Sequence, residues 1–307
     1  MSKSTNNAPP WIRPEIQEKI DWRDQDIVIS VPPKSGTTWT MNIVYQLLNG
    51  GDPDFESVYS EVPWIEFLAD PEQTEQEVLE RVANMTKSKP RAFKTHSAPP
   101  DLPFIEPTAG KNVRYIVVCR NPEEAIASFK PFLEKHTDDW FELWGMPKAV
   151  MTRDKLTDFY HEIVSEMDMQ GMFFGFIAAW WPYRFKSNVL FLHYAEMKKH
   201  HEASLRKIAD FLGIHPDALS WRDIQTYTGF NWMKEHAEKF EPVTDNGISV
   251  LEKGAMIRKG QVGSAREDGM NEEISSHLYA AGKLICPDQQ ALDWLYEGGD
   301  IKKGITM

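Results

Sequence analysis

The sequence predicts an α/β fold, a central and mainly parallel sheet flanked by helices. Apolar runs rich in β-branched residues occur at 27–31, 113–119 and 189–193, and an apolar stripe at helical spacing follows each. Strands separated by whole helices are expected to pair in parallel and to be covered on both faces. Polar residues also gather just after strands, at 32–38, 94–96 and 120. In open sheets of this class the strand C-terminal ends open into the ligand crevice.

Residues 27–31 (IVISV) suit a buried strand, because β-branched side chains pack well on a pleated surface. Pro32 and Pro33 end it, since neither can donate to a ladder. Gly36 allows a tight turn, and Thr37, Thr38 and Trp39 open a helix whose inward face carries Ile43, Val44, Leu47 and Leu48. Residues 50–60 read as a loop, and 62–68, with Trp64 and Phe67, can line a cavity or cover a helix. An acidic helix is predicted over 71–88, started by Pro71. Residues 91–96 form a short strand ending in polar residues. The run 113–119 is the most strand-like in the chain. After it, Asn121 caps and Pro122 opens a helix with Ala125, Ile126 and Phe129 facing inward. Residues 133–161, mixed and aromatic, are expected to make a mobile or substrate-facing excursion. An apolar helix over 173–181 precedes the strand at 189–193. A helix around Leu205, Ile208 and Phe211 is then stopped by Gly213 and Pro216, and two helical patterns follow Glu272.

The chain has 307 residues, 41% hydrophobic and 26% charged, ordinary proportions for one sizeable globular domain over 1–307. Its net charge of -12 argues against nucleic acid or an anionic membrane as partner, so an anionic ligand must meet a local basic pocket. The expected partner is a small molecule, with a homodimer as the protein association left open. Of the two cysteines, Cys119 lies in the apolar run YIVVC and suits a buried thiol, and no Cys/His spacing suggests zinc. The polar N-terminus and the lack of an 18-residue apolar span make a cytoplasmic location the expectation.

The strongest functional signal is Pro33-Lys34-Ser35-Gly36-Thr37-Thr38-Trp39, placed between a strand and a helix. The free N–H groups of that helix would face an anion. An ATPase-type loop has GxxxxGK[ST], with lysine after the second glycine, whereas Lys34 precedes the only glycine here. The segment resembles the phosphosulfate-binding loop of the cytosolic sulfotransferases, YPKSGTTW, with Pro32 at the tyrosine. Lys94-Thr95-His96 is similar to that family's KTHLP, with Ser97 and Ala98 replacing Leu-Pro. Arg120-Asn121-Pro122 with Ser128 is similar to its 3′-phosphate motif RNPKDxxxSx, Glu123 and Glu124 standing for Lys-Asp and expected to face solvent. Arg258-Lys259-Gly260 with Gly263 resembles RKGxxGDWK, although Ser264 and Ala265 replace Asp-Trp. Phe230 lies in TYTGFNWMK, similar to TSFxxMK, and Tyr194 in YAEM, similar to YEDM. The motifs keep the family's order from about residue 22 to about 270.

The resemblance implies a P-loop nucleotide-kinase-like sulfotransferase fold and a co-substrate, 3′-phosphoadenosine 5′-phosphosulfate (PAPS), with the bisphosphate PAP as product. It implies His96 as base, with Lys34 and Lys94 stabilising charge at the leaving phosphate and the sulfuryl group. The cofactor set would be Lys34, Ser35, Gly36, Thr37, Thr38, Trp39, Arg120, Ser128, Tyr194, Thr228, Phe230, Arg258, Lys259 and Gly260. Ser35 could restrain Lys34 until an acceptor binds. The implied mechanism requires no metal. Trp64, Phe67, the aromatics at 140–144, Phe173, Phe174 and Phe176 suggest a hydrophobic acceptor, and residues 231–262 suit a lid between Phe230 and Arg258. Two rival readings are an ATP-dependent small-metabolite kinase, against which the lysine position speaks, and a non-catalytic nucleotide-binding homologue, which the altered segment after Gly263 keeps open.

Overall fold

The structure is a computed structural model that describes residues 9–242, 244 and 246–301. Four strands, β1 (Ile27–Ser30), β2 (Ala92–Thr95), β3 (Arg114–Cys119) and β4 (Val189–His193), form one parallel sheet in the order β2-β1-β3-β4. Every strand residue except Arg114 is buried, which is why the sequence shows unbroken apolar runs instead of alternation.

Side chains leave the two faces of the sheet into two cores. Ile27, Ile29, Ile116, Val118, Leu190 and Leu192 pack with Met41, Ile43, Val44 and Leu47 of helix Thr37–Leu48 and with Leu205 and Ile208 of helix His201–Leu212. On the other face Val28, Phe93, Val117 and Phe191 pack with Ala125, Ile126 and Phe129 of helix Pro122–Glu134, and with Ile177 and Trp180 of helix Gly171–Trp180. At the base of the sheet, Arg91 and Asp26 form a buried ion pair of 2.5 Å.

Several elements differ from the sequence reading for identifiable reasons. The acidic helix is Glu75–Asn84 and not 71–88, because Thr74 and Glu77 form a reciprocal capping box and Pro71 stays in the preceding turn. The stretch 133–161 is not a loose excursion. It includes helix Asp138–Leu143 and helix Leu156–Phe159, which runs into a π turn, and Trp140, Phe141, Phe159 and Tyr160 are buried. The asparagine cap and proline start at 121–122 are present, Asn121 accepting from Glu123 N–H at 2.9 Å. Over 231–262 the chain makes helix Phe230–Glu235, a turn at Ala237–Phe240 and then irregular backbone that bridges back to His136 through Leu251. Val243 and Asp245 lie outside the described residues.

The topology positions the site. β1 and β3 are neighbours, but their onward connections lead to opposite edges of the sheet, to β2 and to β4. The loops after β1 and β3 therefore diverge, and a crevice opens between them.

Candidate active site

A cavity of about 380 Å³ occupies that crevice. Its floor is the turn after β1, where Lys34 (φ 60) and Gly36 (φ 96) both take left-handed conformations. A Cβ on Gly36 would meet the Tyr194 ring at 2.7 Å, so the position needs glycine for space as well as for backbone. Helix Thr37–Leu48 begins immediately after it, and Thr37, Thr38 and Trp39 line the cavity. This end of the helix offers free amides and the positive end of its dipole to whatever enters.

Lys34, Lys94 and His96 converge on the same space. Lys94 Nζ stands 3.2 Å from His96 Nε2, and His96 Nδ1 is 2.5 Å from the Val31 carbonyl oxygen. A carbonyl can only accept, so Nδ1 carries the hydrogen and the Nε2 lone pair faces the Lys94 ammonium. Burial, followed by the charges of Lys94 and Lys34, holds His96 well below the usual imidazole range, against the opposing effect of its hydrogen bond to the Val31 carbonyl. Burial pushes Lys34 down to about 7, with Arg120 and Arg258 adding repulsion. It also pushes Lys94 down to about 7, Glu66 opposing and Lys34 assisting. The two ammonium groups rest on aromatic faces, Lys34 at 3.9 Å from the Phe132 centroid and Lys94 at 3.4 Å from that of Trp64.

A second cationic group lies at the end of β3. The Arg120 guanidinium donates to the Lys34 carbonyl at 3.0 Å, to the Gln261 carbonyl at 3.3 Å and to Glu124 at 3.1 Å, and it lies over the Tyr194 ring. Its Nε is buried with no partner among the described residues, a donor left for an anion. Ser128 lies one helical face along and lines the cavity, as do Arg258, Lys259 and Gly260. Asp268 holds both Arg258, at 2.7 and 3.2 Å, and Lys259, at 2.7 Å.

Glu124 corrects the solvent-facing expectation. It is buried, pairs with Arg120, and accepts the Ala265 N–H at 3.1 Å, tying the altered segment after Gly263 to the arginine. A carboxylate beside an anion site is tolerable here because it spends its charge on that arginine and that amide.

The far end of the cavity is aromatic. Trp39 meets the Tyr194 ring edge-on at 5.9 Å and donates from its indole to the Thr228 carbonyl at 2.9 Å. Phe230 is also in the lining, and Lys198 Nζ lies near both rings, 5.5 Å from the Trp39 centroid and 5.2 Å from that of Phe230. Gly260 touches the Phe230 ring so closely that an added Cβ would fall 2.3 Å from it.

Of the residues expected from sequence, Lys34, Gly36, Thr37, Thr38, Trp39, Lys94, His96, Arg120, Ser128, Tyr194, Phe230, Arg258, Lys259 and Gly260 all line this one cavity. Two do not reach it through their side chains. The Ser35 hydroxyl is fully buried and points at the Pro33 carbonyl, whereas Lys34 is engaged with Phe132. Thr228 is fully buried, its hydroxyl bonded to the Ile224 carbonyl and to His201. The expected acceptor aromatics are not among the residues that line the cavity. Trp64, Phe67 and Trp140 form a stacked row beside His96. Phe173, Phe174 and Phe176 instead fill the core. Sequence reasoning missed Tyr59, Phe132, Lys135 and Lys198 in the lining, and Glu66 behind it. Among the described residues no group of His, Cys, Asp and Glu gathers in a way that could hold a metal ion.

A parallel sheet whose strand ends deliver a glycine turn, a helix start and paired cations makes a cavity suited to an anion. The model of the sulfotransferase domain matches residues 24–282, and the chain belongs to the sulfotransferase family. Among curated relatives, Sulfotransferase 1E1 of Mus musculus is 26% identical over 264 residues, covering 83% of this chain and 82% of the relative. Sulfotransferase 2A6 of Mus musculus is 28% identical over 259 residues, covering 80% and 82%. Among solved structures, mouse sulfotransferase SULT7A1 complexed with PAP aligns with a TM-score of 0.64 at 22% identity, covering 88% of this chain and 87% of that one. Retinol dehydratase in complex with androsterone and inactive cofactor PAP aligns at 0.63 with 20% identity, covering 88% and 83%. The protein is a sulfotransferase, and the parallel sheet flanked by helices is the fold its structural neighbours share.

Proposed function

We propose that this sulfotransferase moves the sulfuryl group of PAPS to a hydroxyl or amine of a small, hydrophobic acceptor, working in the cytoplasm and releasing PAP. The observation that carries the reading is the convergence of Lys34, Lys94 and His96 in one buried cavity beside the helix start at Thr37. Structures of relatives hold PAP, which supports the same nucleotide here.

In this mechanism the amides and hydroxyls of Thr37 and Thr38 hold the 5′-phosphate, and Arg120, Ser128 and Arg258 take the 3′-phosphate. The purine would stack on Trp39 and Phe230, with Lys198 close to both rings. His96 Nε2 removes the acceptor proton as the acceptor oxygen or nitrogen bonds to sulfur. The bond from sulfur to the bridging oxygen breaks, and its electron pair leaves on the 5′-phosphate, where Lys34 meets the charge. Lys94 turns from His96 toward the sulfuryl and bridging oxygens, which frees the Nε2 lone pair. The donor's negative charge also offsets the two ammonium groups that depress His96, restoring its basicity when a substrate is present. No role falls to a metal in these steps.

The acceptor would approach over apolar residues of the same lining, such as Phe132 and Met256. Residues 231–262 would close as a lid over the bound nucleotide within one domain. Incubation with PAPS and a panel of phenols, sterols, alkyl alcohols and amines, read by product mass, tests the reading. A gain of about 80 Da, the mass of SO₃, on one or more small acceptors is expected. No transfer to any of them, or transfer to heparan-like chains only, would overturn it.

A further inference from the structure

Two aromatic rings offer their faces to the proposed purine, and the protein fixes both. The Trp39 indole donates to the Thr228 carbonyl at 2.9 Å, and the Phe230 ring packs against Gly260, where a Cβ would fall 2.3 Å from it. Stacking on such faces tolerates any base, because every base has a π-face, and so does not select adenine. Selection rests on polar groups at the edge of the base. Two groups beside the rings are already committed. The Thr228 hydroxyl is bonded to the Ile224 carbonyl and to His201, and the Trp39 N–H is used on Thr228.

Lys198 stands beside the same rings with its donors open. It belongs to helix Tyr194–Lys199, where Tyr194 and Lys198, four residues apart, share a face, and both line the cavity. Its neighbour Lys199 is exposed instead. Lys198 Nζ lies 5.5 Å from the Trp39 centroid and 5.2 Å from that of Phe230. No negative charge holds it there. The carboxylates close to it in sequence face other groups, Glu196 standing 3.8 Å from His200 and Glu202 2.7 Å from Arg206. Among the described residues Lys198 makes no ion pair and no hydrogen bond, so all three of its N–H donors are without a partner. Lys234 Nζ also approaches Phe230, at 5.8 Å, but that residue is exposed and outside the lining.

Resting on the PAPS reading, we propose that Lys198 is a further nucleotide-binding residue, donating from its ammonium to a ring nitrogen of the adenine. The chemistry is complementary. An ammonium only donates, and the adenine ring nitrogens N1, N3 and N7 only accept. The flexible four-carbon stem lets Nζ pass from the ring faces to the edge of a base stacked on them. There the cation–π contact gives way to a charge-assisted hydrogen bond. Lys198 thus reads the edge of a base whose faces Trp39 and Phe230 hold.

The test is calorimetric titration of wild type and Lys198→Met with adenosine 3′,5′-bisphosphate and with its 1-deaza, 3-deaza and 7-deaza forms. Methionine keeps an unbranched stem against the rings and removes the donors, and each deaza form replaces one ring nitrogen by C–H. Lys198→Met should bind the parent bisphosphate roughly tenfold more weakly than wild type does. One deaza form should bind wild type roughly tenfold more weakly than the parent. The variant should bind that form and the parent within about twofold of each other. Wild-type affinity in Lys198→Met overturns the proposal. So does a loss in the variant that leaves every deaza penalty unchanged, the result a diffuse attraction for the phosphates would give. Equal binding of all four ligands by wild type overturns it without any variant. Wild type that binds none of the four defeats the nucleotide reading beneath, a result distinct from the others.

Discussion

Replacing Gly260 with alanine tests how the purine site is built. The added Cβ would lie 2.3 and 2.5 Å from two atoms of the Phe230 ring, well inside contact distance, so the ring must move. Gly260 also has φ 59, and a side chain in that left-handed conformation carries a penalty of ~1–2 kcal/mol. That penalty falls on the loop with or without ligand and is read as a small drop in thermal stability. The displaced ring is different, because it acts on binding. Stacking of a base on an aromatic side chain is worth ~1–3 kcal/mol. Affinity for adenosine 3′,5′-bisphosphate should therefore fall by roughly ten- to a hundredfold, at ~1.4 kcal/mol per factor of ten. Isothermal titration of Gly260→Ala, Phe230→Ala and the double variant separates the causes. If the alanine acts through the ring, the double variant binds about as weakly as Phe230→Ala alone. Wild-type affinity in Gly260→Ala, or losses that add in the double variant, would refute the placement of the purine against Phe230.

Replacing His96 with alanine should lower turnover by ~100-fold or more and leave nucleotide affinity nearly unchanged; full residual activity in the mass assay removes the base assignment. Lys34, held down to about 7 by burial, is largely neutral at pH 8 in the free enzyme, and a bound phosphate favours its ammonium. Binding of adenosine 3′,5′-bisphosphate at pH 8 should thus take up to about one proton and weaken as pH rises above 7. Titration heats that are identical in phosphate and Tris buffers would contradict this. Hydrogen exchange across 246–262 should slow when the bisphosphate is present, because Phe230 and Arg258 would anchor the two ends of the 231–262 stretch at the nucleotide; equal protection in both states would rule out the lid.

The fold was legible wherever one local signal sufficed. The apolar runs at 27–31, 113–119 and 189–193 became strands because burial on both faces leaves no polar alternation to obscure them. Asn121-Pro122 marked a helix start through chemistry confined to two residues. The acidic helix begins at Glu75 and not at Pro71 because Thr74 and Glu77 cap each other, a pairing whose three-residue spacing is visible in the sequence. Residues 133–161 misled for the opposite reason. Trp140, Phe159 and Tyr160 are aromatic without periodicity, and their burial depends on partners distant in sequence, including Trp11 for Trp140 and His277 for Tyr160. Within the candidate site, residues inside motifs could be named. Lys198, Tyr59 and Glu66 could not, since only the packing of separate segments brings them to the cavity or to its rear wall.

How the cations of the site are held suggests how an empty pocket stays ready for an anion. Lys34 and Lys94 lie nearest the proposed transfer centre, and each rests on an aromatic face, Phe132 and Trp64. Lys198 is placed similarly between Trp39 and Phe230. A cation–π contact is worth ~0.5–2 kcal/mol and places no competing negative charge in the cavity. A directly paired carboxylate would have to be displaced by the incoming phosphate and would then repel it. Carboxylates do occur, Glu252 paired with Lys135 in the lining among them, but none pairs with Lys34 or Lys198 among the described residues. Asp268 binds Arg258 and Lys259 at the rim, Glu124 divides itself between Arg120 and the Ala265 amide, and Glu66 faces the backbone behind His96. With net charge -12 on the whole chain, the arrangement concentrates positive potential in one buried crevice and leaves the ammonium groups nearest the chemistry free to turn toward a ligand.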